Sequence, residues 1–129
     1  MRQGGDPYAD PEPSSVPRSE AHLSIRIDLT TGRFGPGKAA LLRAIGETGS
    51  ISAAARTLGM SYARAWHLTE DMNAVFRERL VDTFAGGNRR GGASLTPTGE
   101  QVLEIYESIR AEAEQAVAKE LAAIDSMRG

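Results

Sequence analysis

The sequence predicts a mainly α-helical domain with a small β-hairpin wing, followed by a long C-terminal helix. Apolar residues recur with helical periodicity in three successive segments, at about residues 38–48, 51–58 and 62–76. A glycine-rich segment between two short runs of strand-forming residues then predicts a hairpin. From Pro97 to Ile124 the apolar residues keep a three–four spacing, which predicts one helix of nearly eight turns, at about 3.6 residues per turn.

The composition excludes several classes of protein and site. The chain has 129 residues, of which 40% are hydrophobic and 25% charged, and this suits one globular domain. It contains no cysteine, which excludes disulfides, thiolate metal sites and cysteine nucleophiles. No apolar run is long enough to span a membrane, and the N-terminus is unlike a secretory signal. We therefore expect a cytoplasmic protein that does not enter membranes.

The charged residues are unevenly distributed along the chain, whose net charge is −2. Residues 33–92 carry nine bases and five acids, a net charge of +4. Residues 93–129 carry three bases and seven acids, a net charge of −4. A basic middle segment beside an acidic end indicates that the middle segment meets a polyanion.

The chain divides into three predicted parts. Residues 1–20 contain four prolines and few apolar residues, so we expect a flexible arm. Residues 21–96 are the predicted domain, which begins with a strand at about residues 22–29, where apolar and polar residues alternate. Residues 97–129 are predicted to form a dimerisation helix. At about 1.5 Å per residue, this helix is longer than so small a domain can cover.

Residues 49–61 have the pattern of a helix-turn-helix. Ala54 and Ala55 are small enough for two helices to cross closely, and Gly59 permits the positive φ of a sharp turn. Ser50 can cap the first of these two helices, and Ser61 can cap the second, whose start enters the major groove in this motif. Together with the hairpin that follows, this predicts a winged helix-turn-helix that binds DNA and is not an enzyme.

The predicted wing has strands at residues 80–84 and 93–95, joined by a glycine-rich tip of seven residues, 86–92. Arg89 and Arg90 at this tip are expected to contact the phosphate backbone or the minor groove. The solvent side of the second helix is expected to contact base edges and phosphates. The predicted DNA-binding residues are Ser61, Tyr62, Ala63, Arg64, His67, Arg89, Arg90 and Lys38.

Four residues of the second helix leave alternatives or receive a structural interpretation. Arg64 can contact guanine bidentately, contact a phosphate, or remain solvated. Tyr62 can contact the groove of the DNA or pack against the protein. Trp66 adjoins the apolar stripe, so we expect it in the core rather than stacked on a base. Asn73 is expected to form local hydrogen bonds and is assigned no role.

Nothing in the sequence predicts a cofactor or a metal site. The two histidines are far apart in sequence and lack carboxylates at ligand spacing. The apolar stripe of the long helix is expected instead at a two-fold seam between subunits, although the helix could also fold back on its own domain. The predicted dimerisation residues are Ile109, Ala113, Ala116, Val117 and Leu121.

Several short elements of this chain recur together in one known family. They are Gly49-Ser50-Ile51-Ser52, Ser61-Tyr62 followed by Ala65-Trp66, Met72-Asn73, Leu80-Val81, Gly86-Gly87 with Gly91-Gly92-Ala93, and Leu95-Thr96 followed by Gly99. Through them, residues 34–101 resemble the N-terminal DNA-binding domain of the ModE-type molybdate-responsive transcription regulators. The resemblance covers roughly residues 22–125 and is more specific than the likeness to LysR-type domains. It implies a homodimer that binds operator DNA through its recognition helix and wing.

The resemblance does not extend to the effector. ModE regulators of the full-length kind continue into C-terminal molybdate-binding domains, whereas this sequence ends at Gly129. We therefore expect molybdate and tungstate to leave DNA affinity unchanged, and the effector stays open. The sequence thus predicts a transcription regulator that acts as a homodimer on a pseudo-palindromic operator. The alternatives are a protein-binding adaptor that uses the winged-helix surface, and a small-molecule-responsive regulator with its ligand at the dimer interface.

Overall fold

The computed structural model describes residues 21–86 and 89–129. Within them, two antiparallel hairpins accompany a mainly helical fold, which confirms the predicted fold class. This part of the chain contains no helix that is long and apolar enough to cross a membrane. The elements in chain order are β1 (Ile27–Leu29), β2 (Gly32–Phe34), α1 (Pro36–Thr48), α2 (Ile51–Leu58), α3 (Tyr62–Val75), β3 (Val81–Gly86), β4 (Arg89–Leu95), α4 (Pro97–Ala116) and α5 (Ala118–Ser126).

Side-chain caps and a glycine determine the ends of α2 and the start of α3, as the sequence predicts. The hydroxyl of Ser50 accepts a hydrogen bond from the N–H of Ala53 at 2.8 Å. Gly59 ends α2 in the left-handed conformation, with φ 69°. The hydroxyl of Ser61 then accepts from the N–H of Arg64 at 3.1 Å. These bonds satisfy N–H groups that a helix start leaves free, so the tight turn between α2 and α3 is stabilised locally.

The apolar core joins the helix-turn-helix to both hairpins and to α4. The ring of Phe34 lies edge-on to Phe76 and Tyr106, with ring centroids 6.0 and 5.3 Å apart. Such edge-on aromatic pairs are favourable beyond the area they bury. The other large side chains that are fully buried in this core are Leu41, Leu42, Ile45, Met72, Leu80 and Val81.

The start of α4 is fixed against the base of the wing. The hydroxyl of Thr96 accepts from the N–H of Gly99 at 2.9 Å and donates to the carbonyl of Arg79 at 2.7 Å. The N–H of Thr96 donates to the carbonyl of Leu80 at 3.0 Å. A β-carbon on Gly99 would collide with that same carbonyl oxygen, so this approach requires glycine.

A group of ion pairs connects α4 to α1. Arg43 of α1 pairs with Glu107 of α4. Arg110 lies one turn further and bonds both Glu107 and Glu114, at 3.4 and 3.1 Å. Burial raises the pKa of the neighbouring Tyr106 phenol, although Arg110 and Arg43 act in the opposite direction. The phenol therefore remains a hydrogen-bond donor at neutral pH.

The N-terminal strand is shorter than the alternation over residues 22–29 predicts. Only its last three residues pair, with β2, a strand that the sequence pattern did not predict. The preceding residues lie along α4, where the hydroxyl of Tyr106 donates to the carbonyl of Ile25 at 2.6 Å. The N–H of Leu23 donates to Glu114 at 3.4 Å. A segment that lies against one face of a helix can therefore show the same alternation of apolar and polar residues as a half-buried strand.

The wing strands are longer than predicted, and the prediction of a seven-residue tip is wrong. β3 extends to Gly86 and β4 begins at Arg89, while Gly87 and Asn88 lie outside the described residues. The register shifts after the pair formed by Phe84 and Gly92, so β4 holds one extra residue. Much of the glycine run thus belongs to a strand.

The predicted continuous C-terminal helix is interrupted at Val117. This residue has φ −113° and ψ 24°, and it separates α4 from α5. Its N–H still donates to the carbonyl of Ala113 at 3.2 Å, and its carbonyl accepts from the N–H of Leu121 at 2.9 Å. No proline or glycine marks this position, so the apolar periodicity alone could not have predicted the interruption.

We expect Gly99→Ala to destabilise the fold by about 1–3 kcal/mol, because the added methyl group must displace α4 from the wing. Chemical denaturation measures this change. Gly37→Ala is the matched control. Gly37 lies in the first turn of α1, where an added methyl group would have no neighbour within 4 Å, so its replacement should cost nothing and can stabilise by about 0.5–1 kcal/mol. Equal stability of the two variants would contradict the close approach.

Candidate nucleic-acid interface

The first two turns of α3 form an exposed surface, which we call the recognition face. It consists of Ser61, Tyr62, Ala63, Arg64 and His67, five residues that the sequence predicted to contact DNA. Ser61 accepts a backbone bond, which leaves its own hydroxyl hydrogen free to donate. Among the described residues, none forms an ion pair with Arg64. The recognition face therefore offers a free guanidinium and hydroxyl donors at one helix end.

Acidic residues limit the length of the recognition face. Glu70 and Asp71 are both exposed and lie in the turn that follows His67. Carboxylates at this distance along the helix would repel a phosphate backbone. The surface of α3 that suits a polyanion therefore ends after about two turns.

Lys38 lies away from the recognition face. Its Nζ donates to the carbonyl of Arg33 in β2 at 2.9 Å. β2 lies at the far end of α3, where Gly32 approaches Val75. The fourteen residues of α3 span about 21 Å, so the structure separates Lys38 from the recognition face.

The wing arginines begin β4. Arg89 pairs with Gly86 across the wing, and Arg90 follows it in the same strand. The side chains of both arginines lie outside the described part of the structure. Their contact with DNA stays a prediction from the sequence.

A groove of about 530 Å³, which we call the aromatic groove, opens between α2, α3 and the wing. Tyr62, Trp66 and Phe84 line it and are 53%, 36% and 56% exposed. The rings of Tyr62 and Trp66 stack, with centroids 6.4 Å apart and an interplanar angle of 24°. The remaining lining residues are Ser50, Ile51, Ser52, Thr83, Gly91 and Gly92.

The prediction that Trp66 packs in the core is wrong. Successive residues of an α-helix differ by about 100° in direction, so Trp66 cannot share the direction of its neighbour Ala65. Ala65 is fully buried, and Trp66 lies on the flank of α3 that faces the wing. The buried stripe of α3 is therefore narrower than the spacing of its apolar residues suggests.

Asn73 connects α3 to the wing, a role that sequence reasoning missed. Its Oδ1 accepts from the N–H groups of Leu80 and Val81 at 2.8 and 3.1 Å. Its Nδ2 donates to the carbonyl of Val81 at 3.2 Å. The side chain thus satisfies three backbone groups where β3 begins. These partners are seven and eight residues away, beyond the reach of a local capping rule.

A backbone hydrogen bond holds the wing to the helix-turn-helix on its other side. The N–H of Ala93 in β4 donates to the carbonyl of Gly49, which ends α1, at 2.9 Å. Asn73 and Gly49 therefore fix both strands of the wing. The wing residues that line the aromatic groove lie close to these attachments on both strands.

The predicted dimerisation residues lie along α4 and α5. Ile109 is 40% exposed and Ala116 is exposed, whereas Ala113, Val117 and Leu121 are half-buried. Ile105 was not among the predicted residues. It is 52% exposed and lies one turn before Ile109. Within residues 21–86 and 89–129, no group of three or more histidine, aspartate or glutamate side chains could hold a metal ion.

Comparisons with known proteins agree with this geometry. Residues 38–100 match the model of bacterial regulatory helix-turn-helix proteins of the lysR family. Over 87 residues the chain is 45% identical to the molybdenum-pterin-binding protein MopB of Rhodobacter capsulatus, covering 67% of this chain and 32% of that protein. It is 39% identical over 89 residues to the transcriptional regulator ModE of Yersinia pestis, covering 68% and 34%.

A third relative is the DNA-binding transcriptional dual regulator ModE of Escherichia coli (strain K12). It is 34% identical over 89 residues, covering 68% of this chain and 34% of the relative. The chain thus spans about a third of the length of the curated relatives that it matches. A helix-turn-helix shared with such regulators supports the prediction that the chain is not an enzyme.

We expect Asn73→Ala to destabilise the protein by about 1–3 kcal/mol, because it leaves partly buried N–H groups without acceptors. Hydrogen exchange should show lost protection at Leu80 and Val81. Asn73→Asp is the matched control, since it keeps an acceptor of the same shape and should retain part of that protection. Unchanged exchange in Asn73→Ala would contradict the role of this side chain.

Proposed function

We infer that this chain, which carries a lysR-type helix-turn-helix domain and is homologous to ModE regulators over about a third of their length, binds double-stranded DNA and regulates transcription. The recognition face is the observation that carries this proposal. It presents a free guanidinium and two hydroxyl groups at the start of α3, beside a wing held to the same helix. A bacterial DNA-binding regulator works in the cytoplasm, which is the location we propose.

The recognition face contacts bases through a few side chains. Arg64 donates bidentately to a guanine, the commonest specific contact in the major groove. The hydroxyl of Ser61 reaches a phosphate, and the methyl group of Ala63 meets a thymine methyl. His67 contacts the same groove one turn further. Arg89 and Arg90 contribute phosphate contacts that carry no sequence information.

We propose that two copies of the chain bind the operator as a homodimer. The operator is therefore pseudo-palindromic. A single recognition helix reads only a few base pairs, and a second half-site about 34 Å away supplies the remaining affinity. Ile109 is an exposed apolar residue on α4, in line with the exposed Ile105 one turn earlier. Association of two such helices would remove these side chains from water.

We extend to this chain only those properties of the relatives that the matched third of their length supports. That third includes the helix-turn-helix, so regulation through DNA is carried over to this chain. Some relatives are named for molybdenum-pterin binding or molybdenum transport, and we do not extend these properties to this chain. We propose no effector for this chain.

Arg64→Ala should weaken binding to a selected duplex by about 1–3 kcal/mol and relax the preference at one base pair. Fluorescence anisotropy with duplexes recovered from random-sequence DNA measures both effects. Arg77→Ala is the matched control, because it removes an equal charge just beyond the far end of α3. If the two variants lose equal affinity, Arg64 does not read a base.

Joint replacement of Arg89 and Arg90 by alanine should act differently from Arg64→Ala. Because phosphate contacts are independent of sequence, selected and random duplexes should lose similar affinity. The slope of log affinity against log salt should fall by up to about two. A loss confined to the selected duplex would contradict phosphate contact by these arginines.

Replacing Ile109 and Leu121 together by glutamate should dissociate the dimer and reduce operator binding more than any single surface change. Burying unpaired charge in an apolar seam costs several kcal/mol. Sedimentation and anisotropy measure the two effects. Ala111→Glu is the control, because it adds charge on the opposite side of α4 at an exposed position. At about tens of micromolar protein even a weak dimer would form. Wild-type protein that sediments as a monomer at this concentration would overturn the dimer.

A further inference from the structure

We propose that the aromatic groove receives one edge of the major groove of duplex DNA, namely deoxyribose groups of one strand and a thymine methyl group beside them. Tyr62, Trp66 and Phe84 are the contacting side chains. The inference rests on the proposed DNA binding and adds a second thymine contact, beside the one proposed for Ala63.

The position of the groove follows from the two elements that bound it. Tyr62 lies in the first turn of α3, which is proposed to enter the major groove, and Phe84 lies on β3 of the wing. A wing that reaches the neighbouring backbone or minor groove leaves one DNA strand between itself and α3. That strand must lie over the aromatic groove.

The chemistry of the lining suits this occupant. None of the nine lining residues carries a charge, so no carboxylate opposes the phosphates. The hydroxyls of Ser50, Ser52 and Thr83 are potential donors to phosphate oxygens. The aromatic surface suits a sugar ring and the C5-methyl group that distinguishes thymine in the major groove. Hydroxyl donors beside aromatic side chains complement a sugar–phosphate strand.

The aromatic side chains are held in place although they are exposed. Trp66 stacks on Tyr62, which restricts both rings. A β-carbon on Gly92 would lie 2.8 Å from the ring of Phe84, so glycine is what permits this ring to rest on β4. The hydrogen bonds of Asn73 hold β3 to α3. A preformed surface of this kind loses less conformational entropy on binding than a mobile one.

Thymine-to-uracil exchange in a duplex recovered by selection tests the proposal, because it removes only the methyl group. For wild-type protein we expect about a threefold to fourfold loss of affinity per contacted methyl. Trp66→Ala and Phe84→Ala should each lower affinity about tenfold, from opposite walls of the groove. In both variants the uracil effect should disappear at the thymine in the aromatic groove, as expected for groups in contact, and should persist at a thymine that Ala63 contacts.

Trp66 also reports on its own surroundings. It is the only tryptophan in the chain, so a change of its emission on adding the duplex records its removal from water. Leu29→Ala is the matched control. Leu29 is a 42% exposed apolar residue on β1, at the far end of α3, and its replacement should leave affinity and the uracil effect unchanged. Thermal unfolding of each variant establishes that a loss of affinity is not a loss of fold.

The possible outcomes separate this inference from the proposed function. Binding of the selected duplex with no uracil effect that depends on Trp66, and with no loss of affinity in Trp66→Ala, would overturn the inference and leave DNA binding intact. Failure to recover any duplex with wild-type protein would overturn both.

Discussion

Both backbone polar groups of Leu80 are bonded to residues of neighbouring elements. Its N–H donates to Asn73 of α3 at 2.8 Å, and its carbonyl accepts from the N–H of Thr96 at 3.0 Å. Its side chain is fully buried, and Gly99 brings α4 against the same carbonyl. A buried backbone group that loses its partner costs about 1–3 kcal/mol. Leu80 therefore links α3, the wing and α4 to one another.

This constraint matters because the proposed DNA contacts come from separate elements. The recognition face belongs to α3, whereas Phe84 and the wing arginines belong to the hairpin. The bond between Gly49 and Ala93 adds a second attachment at the opposite strand. A separation that is fixed beforehand lowers the entropic cost of contacting DNA with both elements together. The fold supplies that separation through a few hydrogen bonds at the base of the wing.

The parts of the fold predicted from the sequence are those that local rules determine. Ser50, Gly59 and Ser61 act on residues within three or four positions, so the helix-turn-helix and most of the recognition face could be predicted. The role of Asn73 was missed and that of Trp66 was predicted wrongly, because their surroundings come from β3 and the wing, which fold back from later in the chain. β1 and β2 form a local hairpin that the sequence pattern did not predict. Nothing in the structure explains the interruption at Val117.

The bond between Tyr106 and Ile25 determines where the chain enters the domain. Residues 21–26 lie along α4, and Leu23 reaches Glu114, about two turns beyond Tyr106. Phe34 and Phe76, which gather around Tyr106, mark the end of α3 opposite to the recognition face. A fluorophore or a fusion partner joined just before residue 21 is therefore attached on the side away from the DNA surface, which makes it the preferred attachment point for single-molecule binding assays.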